Sequence, residues 1–138
     1  MRVLITGSRM WADWPAVDHA IGRARAQSGD HLVVVHGGCP TGADAAADAC
    51  ARQAGIEVEV FELLPAYGPQ RFRMRNQRMV DAGADLCFTF ADGWASGTGM
   101  CARMARAAGI PTIDYGVSTE PRCDNTRWPS PGYCRLRG

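Results

Sequence analysis

The sequence predicts an α/β protein built around a parallel sheet, and two observations support this. Short apolar segments alternate with helix-like segments along residues 2–114, and glycines follow several of these segments. Such alternation is typical of parallel strands joined by helices that cover both faces of the sheet. Because right-handed crossovers leave few topologies, we expect a Rossmann-like three-layer sandwich with a five-stranded parallel sheet in the order 3-2-1-4-5.

The strands are predicted from short apolar runs. The run at 31–35 ("HLVVV") is continuous, as expected of a strand buried on both faces, whereas the run at 56–61 ("IEVEVF") alternates and indicates one more exposed face. The long segment after this third strand would carry the chain past the first strand. The five predicted strands are 2–5, 31–35, 56–61, 85–90 and 110–114.

The helices are predicted from apolar spacing and from the glycines that follow them. In the first helix, Val17, Ala20, Ile21 and Ala24 are spaced to share one face. The later helices end before Gly55, Gly83 and Gly109, as helices commonly do. The four predicted helices are 14–27, 42–54, 69–82 and 98–108.

Length and composition indicate a globular protein with two regions. We expect residues 1–114 to form the Rossmann-like domain and residues 115–138, which contain Cys, Pro and Gly without a period, to form an irregular tail. The amino-terminal apolar run stops at Gly7, too early for a signal peptide or a membrane span, so we expect a cytoplasmic protein with no membrane partner. A net charge of +1 indicates no general attraction to nucleic acid.

Cysteine spacing argues against a metal or disulfide framework. The six cysteines form no C-x-x-C pair, so we expect no zinc site and no disulfides. Cys39 and Cys101 stand in or beside glycine-bearing loops, but no histidine partner is evident in the sequence. We therefore do not expect either to act as a nucleophile.

Three glycine-bearing loops are the main functional signal. They are 6–9 ("TGSR"), 37–42 ("GGCPTG") and 92–100 ("DGWASGTGM"), which follow the first, second and fourth strands. The carboxyl ends of these strands should share one edge of the sheet, where ligands of such folds bind. Each loop leads toward a helix start, whose amides favour an anion. The expected ligand-binding residues are Gly7, Ser8, Arg9, Gly37, Gly38, Thr41, Gly42, Gly97, Thr98 and Gly99.

These loops predict phosphate or nucleotide binding through exposed main-chain amides, and turn geometry alone is the alternative. The chain has no G-x-x-x-x-G-K-[ST] motif, and all fifteen basic residues are arginine. It also lacks G-x-G-x-x-G after the first strand. The sequence therefore indicates neither a P-loop NTPase nor an ordinary NAD fingerprint. We expect no cofactor beyond the nucleotide-derived ligand.

Asp44 and the helix containing "RFRMRNQRM" add polar candidates. Asp44 falls in the first turn of its helix, where the dipole alone favours an acid, or it contacts a ribose hydroxyl or a base N–H. Arg71, Arg75 and Arg78 share a helix face that is either solvated or grips a phosphate. Asn76 stands beside Arg75 on an otherwise apolar face, which suggests a polar contact there. We therefore add Asp44, Arg75 and Asn76 to the expected ligand-binding residues.

Two further residues have alternative interpretations. Trp11 follows the first loop, where its ring could stack on a base or bury the start of the first helix. His36, at the end of the second strand, is interpreted as a structural histidine rather than a catalytic one.

Four motifs in this order, "VLITGSRMW", "HGGCPTGAD", "RNQRMVD" and "GTGMCARMARAAGIP", resemble the YspA-type branch of the SLOG superfamily. That superfamily also contains DNA-processing protein A (Smf) and the LOG proteins. The resemblance covers residues 2–114. It implies a Rossmann-like fold, a nucleotide or nucleotide-derived ligand, and assembly as a homodimer or higher homo-oligomer.

The LOG relatives imply a possible activity. They are phosphoribohydrolases that cleave the N-glycosidic bond of cytokinin nucleotides. Arg75 matches their motif arginine, and Gly97 and Thr98 match their Gly-Thr. Met100 and Cys101 stand where LOG proteins place glutamates, so Asp44 or Asp92 would have to supply the carboxylate. The resemblance thus implies Arg75 and Asp44 as catalytic candidates.

Three hypotheses follow from the sequence. The first is a ligand-binding protein that acts as a sensor, sequestering protein or regulator of a nucleotide derivative. The second is a nucleoside-monophosphate N-glycosidase. The third and weakest is single-stranded DNA binding, which the charge balance does not favour.

Overall fold

The computed structural model describes residues 1–91 and 96–115, apart from the side chains of 30 and 96–98. Residues 116–138 of the predicted tail and the start of the third loop, 92–95, lie outside these residues, whereas Tyr115, which we assigned to the tail, is the last residue of a strand. The strands are β1 (Arg2–Gly7), β2 (Val33–His36), β3 (Glu57–Val60), β4 (Leu86–Phe90) and β5 (Thr112–Tyr115). The helices are α1 (Trp14–Ser28), α2 (Gly42–Gln53), α3 (Arg71–Asp81) and α4 (Ser96–Ala107).

The five strands form one parallel sheet in the order β3-β2-β1-β4-β5, which confirms the predicted topology. β1 is the central strand: Leu4 lies opposite Val35 of β2 and opposite Cys87 of β4. Apolar β-branched and aliphatic side chains occupy this strand because both of its faces are covered. The carboxyl ends of β1, β2 and β4 therefore meet at one edge of the sheet, as predicted.

Helices cover both faces of the sheet and complete the three-layer sandwich. Apolar residues of α1 and α2 pack on one face together with Val3, Ile5 and Phe88. Residues of α3 and α4 pack on the other face with Leu4, Val35 and Cys87. The alternation of β1 side chains between these two clusters follows from the two-residue period of a strand.

Aromatic rings close the first of these cores near the carboxyl edge. Phe90 stacks on Tyr115 with ring centroids 4.8 Å apart, and Trp11 meets Phe90 edge-on at 5.5 Å. Trp11 is buried, and its indole nitrogen donates to the carbonyl oxygen of Asp13 at 2.8 Å. Of the two interpretations of Trp11, burial beside the start of α1 is therefore the observed one, and its ring is not free to stack on a base.

Two predicted boundaries were wrong because proline interrupts the hydrogen bonding. The helix predicted from residue 69 begins at Arg71, after a 3-10 helix at Pro65–Gln70 that is kinked at Gly68. Pro69 has no N–H to donate within a helix. β5 likewise begins after Pro111, whose carbonyl oxygen accepts a hydrogen bond from the Cys87 amide at 2.8 Å.

In the described part of the chain, the structure contains no helix with the length and apolar character needed to cross a membrane.

Candidate functional site

A cleft of about 740 Å³ opens at the carboxyl ends of β1 and β2. Its size lies within the range of small-molecule sites in proteins. Two of the three predicted loops reach it, together with the segment after β3 and the first turns of α2 and α3. The described residues that line it are Gly7, Ser8, Arg9, Gly37, Gly38, Cys39, Pro40, Thr41, Asp44, Glu62, Leu63, Phe72 and Arg75.

Glycine at position 42 allows the first two loops to touch. The Ala43 amide, in the first turn of α2, donates to the carbonyl oxygen of Ser8 at 3.1 Å. Gly42 has a φ of +71°, and a Cβ added there would collide with the carbonyl oxygen of Ser8 and lie 2.7 Å from the Arg9 Cα. Gly42 does not line the cleft; its close approach positions the loop that carries Ser8 and Arg9.

Arg75 reaches across from α3 to the second loop. Its Nη1 donates to the carbonyl oxygen of Gly37 at 2.7 Å, and its Nε donates to Oδ1 of Asn76 at 2.8 Å. A Cβ on Gly37 would collide with this guanidinium, so glycine is required for the contact. Asn76 is 2% exposed, and its side chain is paired with Arg75. It does not line the cleft, so the ligand contact that we expected of it stays a prediction.

The face of α3 that carries Arg71, Arg75 and Arg78 is not a freely solvated basic face. Like Arg75, each of the other two donates to a main-chain carbonyl: Arg71 to Gly68 at 2.9 Å, and Arg78 to Glu62 at 3.2 Å. Of these three residues, Arg75 lines the cleft. The structure therefore singles it out as the cation that α3 contributes to the candidate site.

Asp44 is 7% exposed and lies on the wall of the cleft. Its Oδ2 accepts a hydrogen bond from the Cys39 amide at 3.2 Å. Burial raises the pKa of this carboxyl above its ordinary value, and the Cys39 amide and the nearby charge of Arg75 oppose the increase without cancelling it. The first-turn position predicted for Asp44 is confirmed, and the residue also belongs to the cleft.

Several of the amides that we predicted would face an anion are engaged within the protein, so that prediction was wrong for them. The Ser8 amide donates to Phe90 and the Gly38 amide donates to His36, while the neighbouring Cys39 amide donates to Asp44. The Asp44 carboxylate thus occupies the inner part of the predicted anion site. Within the described residues, the amides of Arg9 and Thr41 donate no hydrogen bond. They lie at the outer rim.

Thr41 occupies the residue before α2, as predicted, but its hydroxyl does not cap the helix. Its Oγ1 lies 3.8 Å from the Cys39 Sγ, and the residue is exposed. The Thr41 hydroxyl is thus paired with the Cys39 thiol, whereas the Thr41 amide donates to no described residue. This amide lies at the amino end of α2, where the helix dipole favours negative charge.

His36 has the structural role that we expected. It is buried, its Nδ1 accepts a hydrogen bond from the Gly38 amide at 3.0 Å, and its Nε2 lies 2.9 Å from Oδ1 of Asp48. Since Nδ1 is an acceptor, Nε2 carries the proton and donates to Asp48. The imidazole thereby supports the turn at Gly38.

The third loop leads into α4, whose first turn contains Gly97, Thr98 and Gly99. The side chains at 96–98 lie outside the described residues, and Gly99 does not line the cleft. Ligand contacts by these three residues remain a prediction. Cys101, on α4, is buried, and burial raises the pKa of its thiol, which agrees with our expectation that it is not a nucleophile.

Sequence reasoning missed Phe72, Leu63 and Glu62 as residues of the cleft. Asn76 and Met79 of the same helix are buried, as an inward face requires. Phe72 stands in the first turn of α3, at the end that borders the cleft, and is 39% exposed. A large aromatic residue in the first turn of a helix that begins at this edge of the sheet was the sequence feature that could have identified Phe72 as a cleft residue.

No group of three or more His, Cys, Asp or Glu residues within 1–91 and 96–115 is arranged to hold a metal ion.

The fold and the cleft define a Rossmann-like α/β protein whose candidate site lies at the carboxyl edge of a parallel sheet. The model of the YspA, cpYpsA-related SLOG family matches residues 1–64, which include β1 to β3 and two of the loops. Gene 61 protein of Mycobacterium phage D29 is 43% identical over 123 residues, which cover 83% of this chain and 96% of the phage protein. The chain belongs to the YspA, cpYpsA-related SLOG family, as its motifs predicted. This membership suggests a nucleotide-related binding or function and names no ligand.

Proposed function

We propose that this protein binds a nucleotide or a nucleotide-derived small molecule in the cleft and acts as a sensor, sequestering protein or regulator. The observation that supports this most directly is the mixture of groups within one cleft: the cations Arg9 and Arg75, the carboxylate of Asp44 and the ring of Phe72. A nucleotide presents a phosphate, a ribose and an aromatic base, and each has a matching group here.

The phosphate is placed at the outer rim of the cleft in this proposal. Asp44 already accepts a hydrogen bond from the Cys39 amide, and its negative charge would repel a second anion there. The rim offers the exposed Arg9 side chain and the amides of Arg9 and Thr41, which donate to no other group in the described part of the chain. It also offers the Thr41 hydroxyl, whose partner here is the Cys39 thiol. Charged hydrogen bonds of this kind are the stronger ones in proteins. Arg75 adds positive charge from the opposite wall.

Asp44 is assigned to the ribose. A carboxylate accepts hydrogen bonds, and ribose hydroxyls donate them, which is how acidic residues of related folds hold a ribose. Asp44 lines the same cleft as Arg9, Thr41 and Arg75, so one ligand can meet all four residues.

A binding test with a matched control addresses this proposal. Thermal shift and calorimetry with AMP, ADP-ribose, NAD and cyclic nucleotides should reveal at least one ligand. Arg75→Ala should lower the affinity for that ligand by roughly tenfold or more, because hydrogen bonds to charged groups contribute about 1.5–3 kcal/mol. Arg73→Ala, an exposed residue of the same helix outside the cleft, should bind normally. A folded wild-type protein that binds none of these compounds would contradict the proposal.

A second candidate function, N-glycosidase activity on a nucleoside monophosphate, is favoured by one observation. A buried carboxylate, Asp44, shares the cleft with Arg75. Water would attack the anomeric carbon as the bond to the base breaks, and the products are the free base and ribose 5-phosphate. Asp44 would stabilise the positive charge that develops on the sugar.

Chromatographic detection of free base from AMP distinguishes this candidate from simple binding. Release by the wild type and its loss in Asp44→Asn would support hydrolysis. Binding without base release would leave the sensor or regulator proposal in place and reject the enzymatic one.

A further inference from the structure

Phe72 is a large aromatic residue that the core does not use. It lines the cleft, is 39% exposed, and belongs to neither of the two apolar clusters that pack against the sheet. Among the described residues, no other aromatic ring packs against it. Packing among the described residues therefore does not explain an aromatic side chain at this position.

One face of the ring is nevertheless held in place. The Arg71 guanidinium carbon lies 4.9 Å from the ring centroid of Phe72, and Arg71 Nη1 is fixed by its hydrogen bond to the carbonyl oxygen of Gly68 at 2.9 Å. Neither Arg71 nor Gly68 lines the cleft, so the guanidinium covers the ring from outside it. A cation over one face of a ring is attractive and orients it. The ring is thus supported from behind and open toward the cleft.

We propose that Phe72 is the platform on which the base of the ligand stacks, so that the site selects a phosphorylated compound with an aromatic base over a sugar phosphate. This inference rests on the proposed function, since it assigns the base end of the same site. Ring faces stack on any base, and the larger surface of a purine buries more area than a pyrimidine. The expected preference is therefore purine over pyrimidine, and either over the sugar phosphate alone.

Calorimetry with AMP, CMP and ribose 5-phosphate tests the assignment. Base stacking on an aromatic residue contributes about 1–3 kcal/mol, which corresponds to about 5- to 150-fold in affinity. The wild type should bind AMP more tightly than ribose 5-phosphate by a factor in this range. Phe72→Ala should remove this difference, because it should lower the affinity for AMP and leave the affinity for ribose 5-phosphate unchanged.

Three further variants isolate the ring face. Phe72→Leu keeps an apolar side chain and protects against loss of folding, yet it should also lose the preference for AMP. Phe72→Trp should retain or increase it. Tyr67→Ala removes another exposed aromatic residue outside the cleft and should bind AMP like the wild type.

The outcomes separate this inference from the proposed function. If AMP binds the wild type and Phe72→Leu equally well, the platform assignment is wrong and nucleotide binding stands. If ribose 5-phosphate binds the wild type as tightly as AMP, the site does not read the base. If none of the three compounds, nor the wider nucleotide set, binds the folded wild type, the proposed function itself fails.

Discussion

Substitution of Gly42 by alanine tests whether the first two loops are pressed together as the structure shows. Gly42 has a φ of +71°, and an added Cβ would collide with the main chain of Ser8 and approach that of Arg9. Because the obstructing atoms belong to the backbone, no side-chain rotation can relieve the collision. The loop carrying Arg9 must move, or α2 must shift.

The expected loss of stability has two parts. A residue with a Cβ in the left-handed conformation lowers stability by about 1–2 kcal/mol relative to glycine. Forcing a methyl group into a packed region costs about 1–3 kcal/mol more. Gly42→Ala should therefore lower the free energy of unfolding by about 2–5 kcal/mol, which is a large share of the 5–15 kcal/mol typical of a domain.

Gly55→Ala is the matched control, because Gly55 has a φ of +74° and an added Cβ there would meet no atom within 4 Å. Gly55→Ala should lose only the stability that the left-handed conformation costs, without the contribution of a collision. Urea denaturation of the wild type and both variants gives the loss in free energy of unfolding for each variant. Thermal unfolding checks these losses, since Tm should fall by roughly 4 °C per kcal/mol. Equal losses in the two variants would refute the loop contact, and with it the explanation of how Arg9 reaches the cleft.

Three other predictions address charge and backbone elsewhere. Burial raises the pKa of Asp44 above 3.8, so its contribution to stability is complete below that value and is lost as pH rises through the raised pKa. The free energy of unfolding of Asp44→Asn, measured by urea denaturation, should therefore rise relative to that of the wild type as the pH increases from about 4 to about 7. A difference between the two proteins that stays constant over this range would contradict the prediction. Glu62→Gln removes an exposed carboxylate of the cleft and should tighten AMP binding by about 1.5- to 5-fold, less at high salt; weaker binding would indicate that Glu62 contacts the ligand. Gly22→Ala, inside α1 with open space around the added methyl, should stabilise the protein by about 0.5–1 kcal/mol in the same denaturation assay, and destabilisation would show an unseen contact.

The candidate site was predictable where it depends on chain order. Loops that follow neighbouring parallel strands must share an edge of the sheet, so the meeting of Arg9 with Thr41 followed from the topology. Helix spacing placed Arg75 on one face with Arg71 and Arg78, and the resemblance to the LOG proteins singled it out. The glycines were noticed for the correct reason, close approach, but two of them serve a different partner: Gly37 admits the Arg75 guanidinium, and Gly42 admits the Ser8 backbone.

The sequence by itself determined the alternation of strands and helices, the strand order and the edge where the loops gather, because apolar periodicity and proline or glycine breaks act locally along the chain. Only the tertiary structure decided that Asp44 accepts the Cys39 amide and that Phe72 is left exposed beside the cleft. Hydrogen-bond partners and the burial of a ring depend on how segments distant in the chain pack together. A pattern read along one segment does not contain that information.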